Sequence, residues 1–128
     1  PDVLAKIAGG LAEMIPAETD LLAGPELGAI PLVTAVALQT GHPFLMVRKK
    51  AKDYGTKKIV EGLCEEGQKV VLITTGGQAV TAAEGLTGLG LELLKIICVI
   101  DREEGARETV EAAGFTLDAL VTRTMMGL

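Results

Sequence analysis

Three short segments of this chain gather the residue types that can do chemistry. The first is Arg48-Lys49-Lys50-Ala51-Lys52-Asp53-Tyr54-Gly55-Thr56-Lys57-Lys58, which holds six of the twelve Lys and Arg residues, with Asp53 as its only acid. In a chain of net charge −5 this makes a local positive field that attracts a polyanionic small molecule. Gly55 and the absence of large apolar side chains read as a mobile loop; a solvated charged hairpin is the alternative, and the residues alone leave both open. The second segment is Thr74-Thr75-Gly76-Gly77-Gln78, directly after the apolar run Val70-Val71-Leu72-Ile73. Backbone N–H groups at such a turn, with a helix dipole behind them, can hold a phosphate, and the two hydroxyls add donors. Neither the Gly-Lys-Ser/Thr ending of a P-loop nor a Gly-x-Gly-x-x-Gly fingerprint at a strand end is present, so an ordinary glycine-bearing connection explains the segment equally well. The third is Asp101-Arg102-Glu103-Glu104-Gly105. Asp101 reads as an N-cap and the two glutamates suit a helix dipole, whereas Arg102 is a misplaced cation there unless an anion binds beside it.

These segments need elements to position them. Apolar residues at three- and four-residue spacing predict a helix over Asp2 to Ile15, stopped by Pro16. Thr19 to Ala23 reads as a strand closed by Gly24-Pro25. Ala29 to Thr40 is too densely apolar for a surface helix and reads as a buried one, with Pro31 in its first turn and Gly41 as its cap. Strands are expected near 19–23, 44–48, 70–73, 95–100 and 117–121, with 57–60 returning beside the second as a hairpin. Helices are expected over Ala79 to Leu89 and Glu103 to Ala113. The strands are continuous apolar runs alternating with helices, which predicts an α/β fold with a mainly parallel sheet covered on both faces. Ligands in such sheets sit beyond the carboxyl ends of the strands, where Gly24 to Gly28, Arg48 onward, Thr74 to Gln78 and Asp101-Arg102 all fall.

Composition narrows the function. The 128 residues are 48% hydrophobic and 23% charged, which fits one domain spanning 1–128 and is too apolar for a disordered chain. The longest apolar run, Ile96 to Ile100, is far short of a membrane span, and no leader pattern opens the chain. An acidic balance and three aromatic residues (Phe44, Tyr54 and Phe115) argue against nucleic-acid binding. Cys64, Cys98 and the single His42 offer no metal-ligand spacing, so no protein-bound metal and a reducing, cytoplasmic setting are expected. His42, between Gly41 and Pro43, reads as a turn residue, Cys98 as core, and Met125 and Met126 as packing. A first residue Pro1 inside a helical pattern suggests that a segment precedes it.

Taken together the segments resemble the orotate phosphoribosyltransferases. Gly24-Pro25-Glu26-Leu27-Gly28-Ala29-Ile30-Pro31-Leu32 is similar to the family's entry into its first core helix. Arg48 to Thr56, with Glu61-Gly62 after it, is similar to the catalytic loop and its hairpin, and is the most specific match. Thr74 to Gln78 resembles the end of the phosphoribosyl pyrophosphate (PRPP) loop, and Asp101 to Gly105 the segment whose arginine binds orotate. The resemblance implies a type I phosphoribosyltransferase fold with an antiparallel hairpin bearing the catalytic loop. It implies transfer of phosphoribose from PRPP to a ring nitrogen of orotate, with release of pyrophosphate, formation of orotidine 5′-monophosphate, and Mg2+ bound through PRPP. It also implies a homodimer in which one subunit's loop reaches the neighbour's site. By residue, Arg48, Lys49 and Lys52 would bind pyrophosphate, with Lys52 nearest the chemistry. Thr74, Thr75, Gly76, Gly77 and Gln78 would cradle the 5′-phosphate, and Thr74 with Arg102 would contact orotate. Positive charge where the leaving group develops negative charge, and exclusion of water from the reactive ribose, are what such a transfer needs. A basic loop closing over the site supplies both.

The chain departs from the family pattern at three places. Tyr54 stands where many members have histidine; the N-terminal hood, a further source of orotate contacts, is not in the sequence; and the PRPP loop is short. That loop ordinarily starts with two acids that hold the ribose hydroxyls, then two apolar residues, then the threonine-glycine turn. Here Ile73 is followed directly by Thr74. Loss of these residues should disturb the sheet edge and the turn, and nothing else in the chain shows a matching loss. The expectation is therefore that Ile73 and Thr74 are not true neighbours, with Cα atoms well beyond the ~3.8 Å of a trans peptide. Normal bonding would favour a PRPP-binding module without turnover over the enzyme, and a scaffold that binds nothing is the third reading.

Overall fold

Strand pairing in this protein is organised around the apolar run Val70-Val71-Leu72-Ile73, and the rest of the chain covers its two faces. The computed structural model describes residues 2–48, 59–75, 79–101 and 103–122. In chain order the elements are α1 (Asp2–Ala12), β1 (Leu21–Pro25), α2 (Ile30–Thr40), β2 (Phe44–Val47), β3 (Val60–Glu61), β4 (Lys69–Thr74), α3 (Ala79–Gly88), β5 (Glu92–Asp101), α4 (Ala106–Ala112) and β6 (Leu117–Thr122). They form one sheet in the order β3-β2-β1-β4-β5-β6. All neighbours pair in parallel except β2 with β3, which are antiparallel. The mainly parallel sheet and its hairpin are as expected.

Side chains alternate across a strand, and β4 shows what this does here. Val70 and Leu72 pack with Ala82, Ala83 and Leu86 of α3 and Val110 of α4, while Val71 and Ile73 pack with Leu11 of α1 and Val33 and Val36 of α2. The result is three layers with helices on both faces, so the strands carry apolar residues at successive positions. β1 leads to β2 on one side and has β4 on its other side, which makes the carboxyl ends of β1 and β4 the switch point of the sheet.

Several boundaries differ from the sequence reading. α1 ends at Ala12 because Met14 N–H and Ile15 N–H bond back three residues, to Leu11 O at 2.9 Å and Ala12 O at 3.2 Å, tightening the chain before Pro16. β1 takes in Gly24-Pro25 rather than stopping before them, and Glu26 N–H extends the pairing to Val47 O at 2.8 Å. α2 is not buried all round: Leu32, Val33, Val36 and Ala37 face the sheet, but Leu38 is 82% exposed on the outer side. α4 starts at Ala106, not Glu103, because Glu103 (φ 59°) and Gly105 (φ 98°) are left-handed and cannot sit in a right-handed first turn. The returning strand of the hairpin is β3, only two residues long among those described.

The expected separation of Ile73 from Thr74 is not found. They are successive residues of β4, paired with Ile97 and Cys98 of β5 without interruption.

Candidate functional site

The carboxyl ends of the parallel strands bring two of the singled-out segments together. Gly24, in β1, is packed so closely that a Cβ there would lie 2.9 Å from Val33 Cγ1, which seats α2 against the strand. The chain after β1 then passes the end of β4: a Cβ on Gly28 would lie 3.7 Å from Thr75 Oγ1. The loop after β1 and Thr75 therefore face each other across the switch point. Thr74 is buried at 1% exposure and, by the alternation of β4, points toward the α3–α4 face, whereas Thr75 is exposed.

Beside these threonines is a cavity of about 650 Å³, walled by the start of α3, the end of β5 and the start of α4. Thr74, Thr75, Thr81 and Thr109 line it, as do the carboxyl-bearing Asp101 and Glu104. Among its described lining residues there is no Lys or Arg. Any anion held there relies on hydroxyls and backbone N–H groups of the described residues, or on cations from elsewhere.

Asp101 ends β5 and is almost fully enclosed, its side chain 4% exposed. It is not the N-cap of α4, which the sequence had suggested; that position is Gly105, with no side-chain cap bond. Asp101 Oδ1 instead accepts the Glu103 N–H at 2.8 Å, and Oδ2 accepts Arg107 Nε–H at 3.3 Å. Arg107 also donates to the Leu117 carbonyl and so ties β5, α4 and β6 into one unit. Sequence reasoning missed Arg107. The available signal was an acid at the end of a buried strand, which needs a compensating charge. Burial pushes the neighbouring Cys98 thiol up to about 11; the Asp101 charge adds to this and Arg107 opposes it.

Arg48 stands at the carboxyl end of β2, two strands from β4. Its backbone N–H bonds to Ile59 O at 2.7 Å, and its Nη2 is paired with Glu61 Oε1 on β3. The structure thus adds Glu61 to the residues around this position. Lys49, Lys52, Gly76, Gly77, Gln78 and Arg102 lie outside the described residues, as do Tyr54, Met125 and Met126. His42 precedes β2 and so belongs to the opposite, amino-end side of the sheet.

Comparison with known proteins agrees with this architecture. No family model matches the chain. Orotate phosphoribosyltransferase of Pyrococcus horikoshii is 45% identical over 123 residues, covering 93% of this chain and 66% of that protein. That of Pyrococcus abyssi is 45% identical and covered to 68% of its length, and that of Methanocella arvoryzae is 42% identical and covered to 71%. The matched span is slightly longer than the share of this chain it takes in, so these relatives carry a few residues within it that this chain does not. The chain spans about two thirds of the length of the curated relatives it matches. Among solved structures, Mycobacterium tuberculosis H37Rv orotate phosphoribosyltransferase in complex with PRPP has a TM-score of 0.78 at 30% identity, covering 98% of this chain and 76% of that one. Adenine phosphoribosyltransferase from Thermoanaerobacter pseudethanolicus, at 21% identity and TM-score 0.77, shares the fold. With Thr75 meeting the loop after β1 at the switch point, and the Pyrococcus abyssi and Methanocella arvoryzae relatives at 45% and 42% identity covered over more than two thirds of their length, the chain belongs to the orotate phosphoribosyltransferase family.

Proposed function

We propose that this chain transfers phosphoribose from PRPP to a ring nitrogen of orotate, giving orotidine 5′-monophosphate and pyrophosphate. The observation that carries the reading is the position of Thr74-Thr75 at the end of β4, with Thr75 beside the loop after β1 at the switch point and α3 following. There the turn 74–78 binds the 5′-phosphate, Thr74 and Arg102 meet orotate, and Arg48, Lys49 and Lys52 bind the pyrophosphate. Departure of a highly charged leaving group leaves an oxocarbenium-like ribose, so the basic segment stabilises charge as it develops and shields the ribose from water. Among the described residues no three His, Cys, Asp or Glu side chains converge on a metal position. Mg2+ would be bound through PRPP, where it would lower the charge of the leaving group. The working form in this reading is a cytoplasmic homodimer in which the basic loop of one subunit reaches the neighbour's site.

A second reading is favoured by one observation, the direct succession of Ile73 and Thr74 in β4. Without two acids between them the ribose hydroxyls lose acceptors, and the chain would bind PRPP without turning it over. Calorimetric titration with PRPP, followed by pyrophosphate release with and without orotate, separates the readings. Release that requires orotate supports the enzyme, binding without release supports the module, and absence of both rejects each.

A further inference from the structure

Resting on the reading that Arg48 binds the pyrophosphate of PRPP, we propose that Glu61 is a built-in competitor for that anion. Glu61 occupies the arginine in the free protein and is displaced when a diphosphate arrives. In the β2–β3 pair Met46 faces Glu61 and Val47 faces Val60, and the Arg48 N–H continues the ladder to Ile59 O at 2.7 Å. Arg48 and Glu61 are therefore diagonal neighbours on one face, where long side chains reach each other. Their ion pair uses Nη2 of the guanidinium. The adjacent Nε is buried and has no hydrogen-bond partner among the described residues.

That arrangement uses half of what the side chain offers. The Nε–Nη2 edge of arginine grips two oxygens of one planar carboxylate or of one phosphate group. Among the described residues Glu61 meets Nη2 and nothing meets Nε, so the edge is occupied but not saturated. A diphosphate meets both donors, which the glutamate does not. The displacement is easy, because Glu61 is 49% exposed and Arg48 20% exposed, and ion pairs open to solvent are weak. Position supports the assignment as well: Arg48 lies at a carboxyl strand end and opens the basic segment.

The test is calorimetric titration of the whole chain with inorganic pyrophosphate, comparing wild type, Glu61→Gln, Arg48→Met and the double variant. Competition by a weak, exposed pair predicts about two- to fivefold tighter binding for Glu61→Gln. It also predicts that the gain vanishes in the Arg48→Met background. If wild type binds and Glu61→Gln is unchanged or weaker, the competitor role is overturned while the parent reading survives. A gain that persists without Arg48 also overturns it, since the effect would then be general charge removal. If neither wild type nor Glu61→Gln binds pyrophosphate, both this inference and the parent reading fall.

Discussion

Replacing Arg107 with methionine should destabilise the chain by about 2 kcal/mol, a magnitude bracketed by its exposure. Methionine keeps much of the aliphatic bulk but removes the charge and both donors. Asp101, 4% exposed, would keep only the Glu103 N–H, and the Leu117 carbonyl would lose its arginine donor. Leaving one partner of a fully buried pair uncompensated costs ~3–5 kcal/mol, whereas an exposed pair contributes ~0–1 kcal/mol. Arg107 is 37% exposed, so water screens part of the loss and the value falls between these limits. With a urea slope of ~1–3 kcal/mol/M for a small protein, the midpoint should drop by roughly 1 M. Urea unfolding followed by circular dichroism reads the shift. Asp101→Asn with Arg107→Met should then recover part of the loss, because the double variant removes the orphaned charge. A single variant within about 0.5 kcal/mol of wild type, or strict additivity of the two, would refute the idea that this pair braces β5, α4 and β6.

Other consequences follow from particular contacts. At pH 8 a thiol reagent should label Cys64 in the native protein and reach Cys98 only on unfolding, which mass spectrometry of labelled peptides would show. Because burial raises the Cys98 thiol from 9.0 to about 11, its contribution to stability is complete below the lower value and is lost as pH rises through the higher one. Cys98→Ala should therefore flatten the fall in melting temperature across that window. Gly24→Ala should destabilise by ~1–3 kcal/mol, since the new Cβ would meet the Cγ1 and Cβ atoms of Val33 at 2.9 and 3.1 Å and push α2 off the sheet. A melting temperature equal to wild type would contradict that close approach. Arg102→Ala should weaken orotate far more than PRPP in paired titrations, and an equal loss for both would mean that Arg102 serves the fold instead.

The parts of the fold that sequence shows are those set by local rules. Continuous apolar runs at 70–73 and 95–100 announce strands covered on both faces, and β4 and β5 contain them, extended at their ends by pairing that composition does not reveal. The start of α4 differs because Glu103 and Glu104 suit a helix, whereas Asp101 Oδ1 takes the Glu103 N–H two residues on in a local Asx-type turn, with Glu103 and Gly105 left-handed. Of the candidate site, Thr75 was legible as lying beyond a strand end, whereas Thr74, read as the start of a turn, is the last residue of β4 and is buried. Arg107 and Glu61 were not, since each acts on a partner that only folding brings near: Arg107 across a turn, and Glu61 across a hairpin. The short PRPP loop was legible as a departure, and β4 pairs with β5 through Ile73 and Thr74.

The central claim, phosphoribosyl transfer by this chain, is tested most directly by following pyrophosphate and orotidine 5′-monophosphate together from PRPP, with orotate present or withheld. The account predicts equimolar appearance of both products, only when orotate is present, and loss of both in Lys52→Ala. PRPP that binds yet stays intact in the presence of orotate would contradict it.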